Sequence, residues 1–195
     1  MNMTLLPYMK SDGIPTLKDS EIMAETIFFD GQLNSREEWL DSITTGRNAL
    51  YVALLKTLEP GPFGRSKVEP AAICWLNNAN GKAIEMHWCV FSKFWSNGSA
   101  DIMRFAADKL INMKSDDEEY VFDVLIGLVP VTNQRAISLS RKAGGIAEYV
   151  VPNALYDYRS SKSVDAMLVH YTRSKWEEDW SHGKLEEGYG GETTG

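Results

Sequence analysis

The sequence predicts an α/β domain, a central mixed sheet with helices on both faces. Three observations point there. Between Lys82 and Gly145 the chain alternates strand (Lys82–Ser92), turn (Phe94–Ala100), helix (Asp101–Asn112), strand (Val121–Pro130) and helix (Asn133–Ala143). The run Ala71–Leu76 meets Lys82–Ser92 across a tight Asn-Gly turn at Asn77–Gly81, the signature of an antiparallel hairpin. The segment Val121–Val131 is almost wholly apolar, as a strand covered on both faces must be.

Taken in order, Met1–Pro15 reads as a first strand or extended lead-in, broken by Gly13 and Pro15. Leu17–Phe28 and Arg36–Ile43 carry apolar residues at helical spacing, the second behind an Asn34-Ser35 cap; they would form one wall over the sheet. Ala49–Leu58 has few β-branched residues, so helix stays open by composition. The Glu59-Pro60-Gly61-Pro62 turn and the short apolar run that follows favour strand. Gly61–Val68 is a loop without the Gly-Lys-Ser/Thr end of a phosphate-binding P-loop. Along Ala83–Val90 the two-residue period puts Glu85 and His87 on one face. Met103, Phe105, Ala106, Ala107, Leu110 and Ile111 form the apolar side of the next helix, and Lys114–Glu119 is a solvated acidic turn. Gly144-Gly145 stops the following helix. After Glu148–Val151, Pro152–Ser163 reads as a polar connection and Val164–Tyr171 as a last strand. Residues 1–175 form one domain on this reading, and 176–195 an acidic, glycine-rich tail with Trp176 and Trp180 on a short helix.

A chain of 195 residues with 44% hydrophobic and 24% charged residues can bury a continuous core. The net charge of −7 argues against a nucleic-acid partner, which favours a basic face. Cys74 and Cys89 sit in apolar runs and read as buried free thiols, and three scattered histidines show no zinc-ligand spacing. No apolar run approaches the ~20 residues of a membrane span, and no signal peptide or disulfide framework is visible; the expectation is a cytoplasmic-type protein.

The chemistry concentrates in two signals. A turn bearing Gly98 and Ala100 opens a helix, where free N–H groups and the positive helix end favour a phosphate group. Asn133 follows the next strand, with Ala136, Leu139 and Gly144 at fixed offsets. Together with the element order, these motifs resemble the GNAT superfamily of N-acetyltransferases over roughly Ala49 to Arg173. The family's first pattern, Arg/Gln-x-x-Gly-x-Gly/Ala, falls on Trp95-Ser96-Asn97-Gly98-Ser99-Ala100, with Trp95 at the Arg/Gln position. The second, Asn-x-x-Ala-x-x-hydrophobic-Tyr-x-Lys-x-Gly-Phe, falls on Asn133, Ala136, Leu139, Lys142 and Gly144, with Ser140 at the tyrosine and Gly145 at the phenylalanine. The run Glu85-Met86-His87-Trp88 leading into Phe94-Trp95 is also similar to virus-encoded members.

The resemblance implies a mostly antiparallel sheet whose fourth and fifth strands splay, with acetyl-CoA as co-substrate in the gap. It implies that the residues from Trp95 to Ala100 meet the pyrophosphate and that Asn133 bonds the pantetheine arm or nearby backbone. The N–H of Val90 or Phe91 would polarise the thioester carbonyl. Glu85, with His87 beside it, would serve as general base toward an amine; the other reading is a hydrogen-bonded polar pair. Ser140 stands where the family's tyrosine protonates the thiolate, on a shorter arm and with a higher pKa. Trp95 either shields the pyrophosphate or stacks on adenine, or else it is a core or helix-anchoring residue. Lys93 and Arg104 flank the loop as candidate phosphate partners, and Tyr156, Tyr158 and Arg159 as candidates for acceptor recognition. The implied activity is direct acetyl transfer to a small-molecule or protein amine. The alternative is a GNAT-fold protein without catalysis, a binding or structural protein such as a phage virion or accessory component; either reading admits a homo-oligomer or virion-protein partners. Trp95, Ser140 and Gly145 favour that alternative.

Overall fold

The computed structural model describes residues 2–7, 49–58, 66–95 and 98–181. Seven strands form one sheet: β1 (Asn2–Pro7), β2 (Ala49–Leu58), β3 (Ser66–Asn80), β4 (Ala83–Val90), β5 (Val124–Pro130), β6 (Ile146–Asp157) and β7 (Lys162–Thr172). They lie in the order β1-β2-β3-β4-β5-β7-β6. Every neighbouring pair is antiparallel except β4 and β5. Helices α1 (Ser99–Ile111), α2 (Gln134–Lys142) and α3 (Arg173–Ser181) complete the described chain. The helices expected at 17–28 and 36–43 lie outside the described residues.

One junction shapes the rest. β4 and β5 pair in parallel only at Ala83–Val124, Ile84–Leu125 and Glu85–Ile126. Beyond that point β4 stays on β3 as far as Val90, while β5 stays on β7 as far as Pro130. The two halves of the sheet therefore diverge, as the resemblance implied. A crossover between parallel strands needs a helix, and α1 supplies it.

The main core among the described residues lies on the face that carries α1 and α2. Ile84 and Met86 of β4, Leu125 of β5 and Val169 and Tyr171 of β7 pack with Met103, Ala107, Leu110 and Ile111 of α1 and with Ile137 of α2. Ala83, Glu85, His87 and Cys89 point to the opposite face, because strand side chains alternate. Cys74 and Cys89 are both buried, as read from the sequence.

Several boundaries shift. The connection expected at Pro152–Ser163 is mostly strand: β6 continues to Asp157, and the turn is confined to residues 158–161. Polar residues there are tolerated because β6 is the outermost strand on its side of the described sheet. Val121–Asp123 precede β5 rather than belonging to it; Asp123 donates its N–H to the Lys82 carbonyl at 2.8 Å. The division at 175/176 cuts through α3. Trp176 is only 5% exposed and belongs to the main core, and its indole N–H donates to Asp108 at 3.0 Å. That helix is part of the domain.

Candidate functional site at the splayed strands

Register decides which backbone groups face the gap. The N–H of Phe91 donates to the carbonyl of Ala71 at 2.9 Å, while Ala72 stands opposite Val90. Ala72–Val90 is thus a non-hydrogen-bonded pair of the antiparallel ladder, and the N–H and C=O of Val90 turn away from β3 toward the gap. The same alternation turns the amides of Trp88 and Met86 that way, opposite Cys74 and Leu76. Phe91 is therefore corrected as a cofactor-facing amide, since its donor is engaged within the β3–β4 ladder. The amides of Val90 and Trp88 both turn toward the gap. Sequence reasoning missed Trp88 because nothing local says which amides of a strand lack a partner.

The mouth of the gap is built by Trp95. A short 3-10 turn, Ser92–Phe94, follows β4 and buries Phe94. The Trp95 indole N–H then folds back and donates to the Val90 carbonyl at 2.8 Å. The guanidinium of Arg135, in the first turn of α2, lies 5.3 Å from the Trp95 ring centre. Trp95 nevertheless remains 42% exposed. The ring thus reaches from the end of β4 to the helix that follows β5. Arg135 was not singled out in the sequence, since only the fold brings it to Trp95.

Gly98 caps α1 with φ of 82°, a left-handed conformation that glycine adopts without a Cβ clash. Among the described residues no side chain caps this end, so the first-turn N–H groups of Ser99 and Ala100 have no side-chain acceptor among them. Asp101 also sits in that turn and offsets part of the positive helix end. Ser96 and Asn97 lie outside the described residues. The flanking cations are engaged elsewhere: Lys93 pairs with Glu69, and Arg104 donates to the Lys142 carbonyl at 2.6 Å. At the second helix, the Asn133 side chain accepts from the Ala136 N–H at 3.1 Å. That bond caps α2 and fixes the chain as it leaves β5.

Glu85 and His87 flank the point where the strands part, on the face opposite α1 and α2. The carboxylate of Glu85 accepts from the Asn78 amide at 2.5 Å and lies 3.6 Å from His87 Nε2. The same Nε2 is 3.2 Å from the Asn77 side-chain oxygen, and the imidazole stacks on Trp75 at 5.0 Å and 7°. Burial holds the His87 pKa below its usual value, with the Glu85 charge opposing the shift. His87 is accordingly neutral near pH 7, and a donor at Nε2 suits the two acceptors that face it. One strand further, Ile126 separates Glu85 from His170, because Glu85 pairs with Ile126 and Ile126 with His170.

Ser140 is 3% exposed on α2, and its carbonyl accepts from Gly145 N–H at 2.9 Å and from the Tyr171 hydroxyl at 3.4 Å. Burial pushes the Tyr171 phenol well above its ordinary range. The structure also explains the glycine where the family has phenylalanine. A Cβ on Gly145 would lie 2.9 Å from Tyr171 Cζ and 3.0 Å from its hydroxyl, so the β7 ring fills that space. Trp176 does the same at Gly144, 3.3 Å from where a Cβ would stand. Tyr156 and Tyr158 meet edge to face at 5.0 Å near the β6–β7 turn, and Arg159 pairs with Asp157 at 3.2 Å. That turn lies at the end where the gap opens, because β7 begins its pairing with β5 at Pro130.

This combination is the fold of the GNAT acetyltransferases: seven strands in this order, one parallel junction that diverges, and a helix crossing from β4 to β5. Three solved structures show the likeness. Spermidine N-acetyltransferase from Vibrio cholerae, solved with CoA and spermine, aligns with TM-score 0.61 and 13% identity over 90% of this chain and 98% of its own. Aminoglycoside acetyltransferase AAC(6')-Ib, solved with coenzyme A and kanamycin, aligns with TM-score 0.62 and 15% identity over 91% and 98%. A putative acetyltransferase from Acinetobacter baylyi aligns with TM-score 0.57 and 15% identity over 88% and 93%. No family model matches the sequence, and no curated protein does. Among the described residues, no helix is long and apolar enough to cross a membrane.

Proposed function

We propose that the protein is an acetyl-CoA-dependent N-acetyltransferase acting on an amine by direct transfer. The observation that carries this reading is the diverging β4–β5 pair, which leaves the amides of Trp88 and Val90 facing a gap instead of a strand. The pantetheine arm carries amide groups that suit such an edge, and the left-handed Gly98 turn at the start of α1 suits the diphosphate. Acetyl-CoA is the acyl donor among substrates with this chemistry; spermidine N-acetyltransferase and the aminoglycoside acetyltransferase, whose fold the chain shares, were both solved with CoA.

In this reading the amine approaches from the face of Glu85 and His87. Glu85, two residues before His87 at the fork, takes the proton of the attacking amine. At ~3.3 Å per residue, Glu85 stands about 10 Å along the strand from Trp88 and about 16 Å from Val90. The Trp88 amide is therefore the better placed donor for the thioester oxyanion, and the Val90 amide serves the arm. Asn78, bonded to the carboxylate, positions the base. Tyr156 and Tyr158 border the acceptor at the open end, and the net charge of −7 suits a cationic amine.

The burial of Ser140, which stands in place of an acidic phenol, supports a second reading: a protein that binds CoA without turnover. Calorimetry followed by assay separates the two. Micromolar binding of acetyl-CoA is expected, and no binding at millimolar concentration overturns both readings. Given binding, thiol release in the presence of polyamine and aminoglycoside panels is expected, with Glu85→Gln slower by about 10²-fold. Binding without any release favours the second reading.

A further inference from the structure

Four buried side-chain nitrogens lack a partner among the described residues: Trp88 Nε1, Arg104 Nε, His170 Nδ1 and Arg173 Nη1. Three have an ordinary explanation. Arg104 and Arg173 already donate through other guanidinium nitrogens, to the carbonyl of Lys142 and to those of Ile111 and Phe122. An imidazole can carry its ring proton on the other nitrogen, so His170 Nδ1 is not obliged to donate. An indole nitrogen has no such alternative. It is a donor in every state, and leaving it buried and unbonded costs stability.

Position makes this donor informative. Trp88 pairs with Cys74 on β3 and lies on the part of β4 that β5 no longer accompanies. Its ring packs against the helix-side core, as do Val129 of β5 and Leu139 of α2. Glu85 and His87 point to the other face. An acceptor for the indole is thus needed on the helix side of the gap, where the described residues provide none.

We propose that Trp88 is a cofactor-binding residue whose indole N–H donates to an amide carbonyl oxygen of the pantetheine arm of CoA. This rests on the acyl-CoA reading above and adds to it a side-chain contact that holds the arm from the face opposite the general base. The arm would then be held along its edge by the Val90 amide and from the helix side by the Trp88 ring. Two groups that fix the arm in one register also fix the distance of the thioester from Glu85.

Trp88→Phe keeps a ring in place and removes only the donor. Binding of CoA and of adenosine 3',5'-bisphosphate, which lacks the arm, is measured by calorimetry on wild type and variant. The expected result is a roughly 5–10-fold loss of affinity for CoA, with adenosine 3',5'-bisphosphate unchanged and the unliganded thermal midpoint not lowered. Equal CoA affinity in the two proteins, or an equal loss for both ligands, overturns the proposal while leaving the acyl-CoA reading intact. Failure of the wild type to bind CoA at millimolar concentration overturns that reading and the proposal with it. Should Trp88→Phe not fold, the Trp88 indole proton of the wild type is followed by NMR. Slower exchange with CoA but not with adenosine 3',5'-bisphosphate is expected, and no difference between the ligands refutes the contact.

Discussion

Replacing Gly145 with alanine tests how this chain dispenses with the aromatic residue that the GNAT pattern places there. The added Cβ would lie 2.9 Å from Tyr171 Cζ, 3.0 Å from the Tyr171 hydroxyl and 3.0 Å from the Ser140 carbonyl oxygen. None can yield freely: the ring is fully buried in the main core, and the carbonyl belongs to α2. Overpacking of this kind costs about 1–3 kcal/mol. For a chain of 195 residues, that lowers the thermal midpoint by roughly 2–4 °C for each kcal/mol. Urea denaturation of wild type, Gly145→Ala, Tyr171→Leu and the double variant measures the effect and its origin. Leucine removes the two ring contacts and leaves the backbone one, so the alanine penalty is expected to shrink by about 1 kcal/mol in that background. A Gly145→Ala protein as stable as wild type, or the same penalty with and without Tyr171, would refute the steric account.

Three further outcomes follow from the site. His87 is held below its unfolded pKa of about 6.5, so the unfolded chain binds more protons just below that value. The stability difference between wild type and His87→Gln should therefore be constant above about pH 6.5 and shift against wild type as pH falls through the window beneath it; a flat difference from pH 7.5 to 5 in urea titrations contradicts this. Asn133→Ala removes the acceptor for Ala136 N–H and should destabilise by about 0.5–2 kcal/mol, with Asn133→Asp largely restoring it, both read by thermal denaturation. Gly98→Val forces a β-branched residue to φ of 82°, costing about 1–2 kcal/mol, and should also weaken CoA binding in calorimetry; unaltered affinity would remove that turn from the site.

Local chemistry made part of this protein legible in its sequence. The Asn80-Gly81 turn announced the β3–β4 hairpin, and alternation along Ala83–Val90 put Glu85 and His87 on one face. Asn133 after an apolar strand marked the start of the next helix, and Gly98 marked a turn that opens a helix. These features depend on torsional limits and on residues within one or two turns of each other, so the order of residues suffices for them. β6 was harder to read, because an outermost strand needs no apolar alternation and its polar residues imitate a loop. Tertiary structure alone decided which amides of β4 face the gap, because that depends on the register with β3. It also decided that Phe91 is engaged with Ala71, that Arg135 stands over Trp95, and that Tyr171 and Trp176 fill the space beside Gly145 and Gly144. Each of these facts joins residues tens of positions apart. The sequence carries the parts of the gap between β4 and β5; only the packing of distant segments determines which of its donors are left without a partner.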